Sequence, residues 1–187
     1  MASGISHALA ALSLGACFCR HGTPKRVWLA GALCSILPDL DVIGFHFGIR
    51  YSDFWGHRGF THSFFFAGCL ATLVAIPFIH KARAPGSLLE SWSRLWIWTY
   101  LFLATASHGL LDGMTDGGLG VAFFSPFNND RYFLPWRPIR VSPIGVARFF
   151  THRGLAVLES ELLWIWLPAG LLAFFGWRLR RHQAETI

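Results

Sequence analysis

Charge is scarce in this chain: only 14% of its 187 residues are Asp, Glu, Lys or Arg, against 53% hydrophobic residues and nine tryptophans. A soluble domain is rarely so apolar. A zinc-ribbon spacing is missing too. The four cysteines, Cys17, Cys19, Cys34 and Cys69, lie inside apolar runs, where a thiol behaves as a small hydrophobe, so they are read as packing residues with no disulfide framework. Nor is there a basic stripe. The formal charge of +6 sits in short clusters at the ends of apolar stretches, which speaks against nucleic acid as a partner and suits a membrane orientation signal. No apolar stretch carries the n-region and small-residue cleavage site of a removable signal peptide, and no internal repeat or low-complexity tract is evident.

What remains is a succession of five apolar stretches. The first runs from about Ile5 to Cys19 and the second from Val27 to Gly44, both short against the ~20 residues of a full span. The third, Ser63 to Ile79, contains Pro77; the fourth, Trp92 to Leu111, is aromatic; the fifth, Leu155 to Trp177, contains Pro168. Trp92, Trp96, Trp98, Trp164, Trp166 and Trp177 suit interfacial anchors of the last two. The expected fold is therefore all-α, one membrane-embedded helical bundle over 1–187, with a Gly-, Pro-, Asn- and Arg-rich ordered loop at 113–154.

Basic residues orient the bundle. Arg20, Lys25 and Arg26, then Lys81, Arg83 and Arg94, then Arg178, Arg180 and Arg181 mark three cytoplasmic sides. The N-terminus, the 50–62 loop and the 113–154 loop are then expected on the outer face. Alternation of the spans brings His7, Asp39, Asp41, His57, His62, His108 and Asp112 to that same face, with Glu159 and Glu161 opening the fifth stretch beside them. Carboxylates and imidazoles cost several kcal/mol at membrane depth unless paired, wet or metal-bound, so the collection points to a metal cluster. This inference needs only the alternation, whichever face is outside.

Each motif has a chemical and a plain structural meaning. His108 and Asp112 are four apart and share a helix face, for one metal or for a simple buried hydrogen bond. In Leu37-Pro38-Asp39-Leu40-Asp41, the proline is expected to stop the helix and free two carboxylates; a turn with an Asp cap is the commoner meaning. His57-Arg58-Gly59-Phe60-Thr61-His62-Ser63 is the most specific string. There Gly59 permits a tight turn, Thr61 or Ser63 can cap the next helix, both histidines can approach one centre, and Arg58 suits a phosphate oxygen; interfacial histidines on a capped helix are the plainer reading. Glu159 and Glu161 point to different faces, and Glu161 is favoured as a ligand. His46 is near the site or merely interfacial, while His21, His80, His152 and His182 have no assignment.

Ser6-His7, the Leu-Pro-Asp-Leu-Asp string, the His57 to Ser63 string and Ser107-His108-Gly109-Leu110-Leu111-Asp112, in this order from residue 6 to about 168, resemble the bacterial membrane-bound metal-dependent hydrolases, the LexA-regulated YdjM-like proteins. That family is in turn similar to the zinc-dependent phospholipase C and single-strand nuclease superfamily, an all-helical fold with up to three zinc ions at a His and Asp cluster. The resemblance implies a bacterial inner-membrane, multi-pass hydrolase of a phosphoester with its site on the periplasmic face. Two or three zinc ions are then expected on His7, Asp39, Asp41, His57, His62, His108, Asp112 and Glu161. Mixed His and carboxylate donors also accept manganese or iron. They would lower the pKa of a bound water from about 15.7 towards 7, with Asp39 or Asp41 as general base and Arg58 on a non-bridging oxygen. Membrane lipids are the expected surroundings, and a lipid or lipid-linked phosphoester the substrate. A small transporter is the alternative, although it would place polar residues near the bilayer midplane, where these stretches are apolar. A membrane scaffold with a closed structural metal is the other.

Overall fold

Small residues at helical spacing decide how this chain packs. The computed structural model describes residues 1–19, 23–79, 88–144 and 149–185, with the side chains of 88–93 and 179–185 left aside. Arg20, His21, His80, Lys81 and Arg83 thus lie outside the described residues, as do the side chains of Trp92, Arg180, Arg181 and His182. The helices are α1 (Gly4–Phe18), α2 (Lys25–Ile36), α3 (Phe64–Ile79), α4 (Leu88–Gly113), α5 (His152–Glu161) and α6 (Leu167–Glu185). About 67% of the structure is helical, and the described residues form no strand.

The helix α1 packs against α2, α4 and α6, and α4 also packs against α2 and α3. Ala67, Ala71 and Ala75, four apart, make the buried edge of α3. Small side chains let backbones approach where lipid offers no hydrophobic push between helices. Gly15 shows how close: a Cβ there would stand 2.8 Å from the Trp28 ring and 3.2 Å from the Tyr100 hydroxyl. Tyr100, Leu101, Ala104, Val27, Cys34 and Ala11 form the core at this end. Cys19 and Cys34 are buried there, Cys17 and Cys69 are exposed, and all four are free thiols.

The molecule is apolar outside and polar within one end. Leu29, Leu33, Leu73, Leu171 and Phe175 are exposed, whereas Arg58, His7, His57, His108 and Glu161 are among the largest fully buried side chains. Water does not select such an arrangement; hydrocarbon does. Among the described residues two stretches have the length and apolarity of a span, Lys25–Phe47 and His152–Arg178. Helices α1 and α3 are apolar but have 15 and 16 residues. At 1.5 Å per residue they rise only roughly 22–24 Å against a hydrocarbon core of ~30 Å. Of the roughly five spans expected, two are met in length and composition among the described residues.

The α-helix α2 ends at Ile36, just ahead of the Leu37-Pro38 pair, as expected of a proline stop. Beyond it the chain tightens into an 11-residue 3-10 segment, Leu37–Phe47, with proline in its first turn, where its missing N–H costs nothing. The fifth stretch is likewise interrupted, α5 passing into α6 through a π-helical turn, Leu162–Trp166. Between α4 and α5 the described part of the loop is tied down by its backbone. Ala122 N–H donates to the Arg58 carbonyl at 3.0 Å, Leu134 N–H to Gly113 at 2.9 Å and Ser142 N–H to Met1 at 2.9 Å, while Phe64 N–H donates to Phe123 at 3.0 Å. This loop closes over the polar end of the bundle.

Candidate metal centre

Two α-helices, a 3-10 segment and one connection deliver the site. His7 comes from the first turns of α1, Asp39 and Asp41 from the 3-10 segment, His57 and His62 from the connection before α3, and His108 and Asp112 from the last turns of α4. In a 3-10 helix, residues two apart are about 240° apart, so the two aspartates diverge. Asp39 turns towards α4 and Asp41 towards the histidine string.

One donor each from Asp39, His62, His108 and Asp112 lies within 4.8 Å of all the others. His62 Nε2 and His108 Nε2 face each other at 3.0 Å. Asp39 Oδ1 is 3.4 Å from His108 Nε2 and 3.7 Å from His62 Nε2, and Asp112 Oδ2 is 3.7 Å from His62 Nε2. Four tetrahedral donors, each ~2.0–2.2 Å from one ion, stand roughly 3.3–3.6 Å apart, so this set fits a small divalent cation. Both Asp39 oxygens, both His7 ring nitrogens and His57 Nε2 are buried with no hydrogen-bond partner. Orphaned polar atoms of this kind are expensive unless something absent from the protein itself completes them.

The imidazoles are held from behind. His108 Nδ1 contacts the Ser35 carbonyl at 2.7 Å, which fixes the tautomer and leaves Nε2 as the donor atom towards the centre. Asp41 Oδ1 meets His57 Nδ1 at 2.7 Å, and Asp41 Oδ2 lies 3.2 Å from His62 Nδ1. Asp41 Oδ2 also accepts from the Thr61 hydroxyl at 2.8 Å and from Arg58 N–H at 3.3 Å. A carboxylate so occupied orients ligands. Asp41, His57 and His62 do form a second group within ligating reach, but both Asp41 oxygens are already engaged by His57 Nδ1 and His62 Nδ1. His57 is shifted down by burial, against the pull of Asp41. His62 is also pressed down by burial, but its contacts with Asp39 and Asp41 outweigh this and raise it to about 9.

His7 reaches the edge of the cluster. Its ring stacks on His108 with centroids 3.8 Å apart, and Nε2 lies 3.5 Å from Asp112 Oδ1. Two expected participants are placed otherwise. Arg58 is fully buried, donating through Nε to Asp112 Oδ2 at 3.1 Å, through Nη1 to the Gly117 carbonyl at 2.8 Å and through Nη2 to the Thr115 hydroxyl at 2.8 Å. Its guanidinium is thus committed to Asp112 instead of facing a substrate phosphate. Glu161 is buried, yet its oxygens accept from Ser3 N–H, from the Ser3 hydroxyl at 2.6 Å and from the Ser6 hydroxyl at 2.8 Å. It caps α1, where a carboxylate meets the positive end of the helix dipole, and is not one of the four clustered donors. Glu159, His46 and His152 are exposed.

Ser63 caps α3, its hydroxyl accepting from Phe66 N–H at 3.0 Å, while Thr61 serves Asp41. Gly59 is not the left-handed residue of the turn; Arg58 is, at φ 65°. The sequence reading also passed over Ser35, Thr115 and Arg131. Arg131 donates to the carbonyls of His57 at 2.7 Å and Tyr51 at 2.9 Å, pinning the histidine string to the loop. Thr115 stands three residues after Asp112, a spacing that was available as a signal; a backbone carbonyl such as that of Ser35 leaves none.

The model of a family described as YdjM inner membrane protein matches residues 1–183. This chain belongs to the YdjM family of inner membrane proteins. A curated relative, the inner membrane protein YbcI of Escherichia coli (strain K12), is 38% identical over 181 residues, covering 97% of this chain and the whole of that protein. No solved structure matches. Membership accounts for the inside-out distribution of polarity, since an inner-membrane chain must turn apolar side chains outwards and hide its charges at one end.

Proposed function

We propose that this YdjM-family protein is a metal-dependent hydrolase, distantly similar to the zinc-dependent phospholipases C, that cleaves a phosphoester in a lipid or lipid-linked substrate at the periplasmic face. The observation that carries this reading is the buried set Asp39, His62, His108 and Asp112, with donor separations of 3.0–3.7 Å and two unpartnered Asp39 oxygens. These four would hold the ion, with zinc the best match to mixed imidazole and carboxylate donors and manganese or iron also acceptable. A divalent ion there supplies Lewis acidity towards a phosphoryl oxygen and towards water.

The chain's own groups do the rest. Asp41 keeps the His57 Nδ1–H engaged, so that Nε2 accepts a proton at the border of the cleft lined by Tyr51, His57 and Arg153. Asp39 is the carboxylate with an oxygen to spare for a second proton acceptor. Arg58 balances the charge of Asp112 and fixes the donor set without touching substrate. A second centre on Asp41, His57 and His62 would have to break the Asp41–His57 hydrogen bond, so one tightly held ion is the minimum expected from the two or three read from the sequence.

A closed structural metal is the second reading, favoured by the complete burial of His108 and Asp112. Elemental analysis of the detergent-purified protein beside His62→Ala and Asp112→Asn separates the readings in order. At least one zinc per chain, lost in both variants, supports the centre; full stoichiometry in both overturns it. Release of phosphate or a phosphorylated headgroup from lipid by the wild type, but not by Asp39→Asn, then distinguishes enzyme from scaffold.

A further inference from the structure

Arg58 is spoken for, so a phosphate entering this site needs another cation. One stands at the mouth. Arg153, exposed in the first turn of α5, lines a cleft of about 270 Å³ together with Tyr51 and His57, and no described hydrogen bond or ion pair engages its guanidinium. His57 brings its unpartnered, buried Nε2 to the same cleft, and the second group of possible metal donors lies directly behind it. Tyr51 closes the wall, its ring edge-on to His57 with centroids 5.2 Å apart.

Through Met1, Ser142 and Pro143 this cleft runs into a larger groove of about 810 Å³. That groove is almost wholly apolar. Ile5, Leu9 and Leu12 line it along one stripe of α1, Gly4 and Ala8 leave room between them, and Phe149 and Phe150 form the opposite wall. Its volume lies in the ~300–1,000 Å³ range of sites that enclose a small molecule. From Ile5 to Leu12 the helix rises roughly 10 Å, most of the ~15 Å depth of one leaflet's hydrocarbon. A cleft that presents Arg153 and His57 at one end and a leaflet-deep apolar trough at the other is complementary to an amphiphile with an anionic head.

We propose that the groove between α1 and Phe149–Phe150 seats one acyl chain of a glycerophospholipid whose phosphate enters the adjoining cleft and is met by Arg153. The proposal rests on the hydrolase reading for what happens next, but not for binding. Arg153 is here a specificity residue, and Ala8 sets the free width of the trough.

The test is photolabelling of the full-length protein in nanodiscs, with phosphatidylglycerol carrying a diazirine on one acyl chain as the probe. Cross-links should map to the 4–12 segment or to Phe149 and Phe150. Ala8→Trp fills the trough and Phe150→Ala, at an 82% exposed position, opens its wall. Each should lower labelling there about tenfold, as expected for a chain losing several methylene contacts. Leu73→Trp, on the exposed side of α3, should leave it unchanged, and Arg153→Gln should weaken capture of phosphatidylglycerol but not of a diacylglycerol probe. Labelling spread over all lipid-facing helices, or displaced by a prenyl phosphate and not by phosphatidylglycerol, overturns the proposal. Metal content is read in the same samples. Specific labelling in a protein that holds no metal upholds the groove and removes the hydrolase reading; metal without specific labelling does the reverse.

Discussion

Arg58 occupies the left-handed region at φ 65° and is fully buried, a costly position for any non-glycine residue. It persists because Asp112, Thr115 and the Gly117 carbonyl take every face of the guanidinium. Arg58→Ala would leave Asp112 buried without its ion-pair partner, and loss of one partner of a buried pair costs about 3–5 kcal/mol. The expected outcome is a large fall in the midpoint of thermal unfolding in detergent. A variant that keeps wild-type stability and loses only turnover would return Arg58 to the substrate. His62 makes a second prediction at this scale. Asp39 and Asp41 hold its proton up to about pH 9, whereas a metal ligand must be neutral. Binding at pH 7 must therefore expel that proton, and affinity should rise by about tenfold per pH unit from pH 6 to 8, flattening near 9. Zinc titrations against a chelating indicator at several pH values measure the slope, and a flat profile excludes His62 as ligand.

Among the elements, the 3-10 segment Leu37–Phe47 does the most to build the site, because its tight winding sends Asp39 to the ligand set and Asp41 behind the histidines. The α5–α1 junction is the other. Glu161 closes the N-terminus of α1 through Ser3 and Ser6, and Trp166 donates to the Ser6 hydroxyl at 2.7 Å. Glu161→Gln should cost roughly 0.5–2 kcal/mol, the scale of a cap and a helix-dipole charge, and should leave the metal in place. Asp112→Asn should lose it. Parallel metal analysis and melting curves decide the matter, and metal loss in Glu161→Gln would restore the residue to the ligand set. The spacing of Glu159 and Glu161 told only that they would face different ways; it carried no information on whether the buried one would meet an ion or a helix end.

At the scale of the whole molecule, the topology proposed from the alternation of basic ends is open to a direct test. In a cysteine-free background, Ser52→Cys should react with a membrane-impermeant maleimide added to spheroplasts, and Trp177→Cys should react only after lysis. Reaction of both from one side would contradict the threading. The same alternation explains how much of the site was legible. Alternating stretches are expected to bring His7, Asp39, Asp41, His57, His62, His108 and Asp112 to one side, and the structure draws all seven into one polar end.

Hydropathy and residue order by themselves determined that this chain is a helical membrane protein, which ends of its apolar stretches lie together, and which seven side chains meet there. These are consequences of one-dimensional periodicity and of the cost of charge in hydrocarbon. Only the tertiary structure decided which members face the centre and which stand behind it. That assignment depends on which nitrogen or oxygen is already taken: Ser35 behind His108, Asp41 behind His57 and His62, Arg58 against Asp112, and α1 on Glu161. Hydrogen-bond partners separated by 16 to 158 positions leave no local trace in a sequence, because the competition among buried polar groups is settled only when the helices have packed.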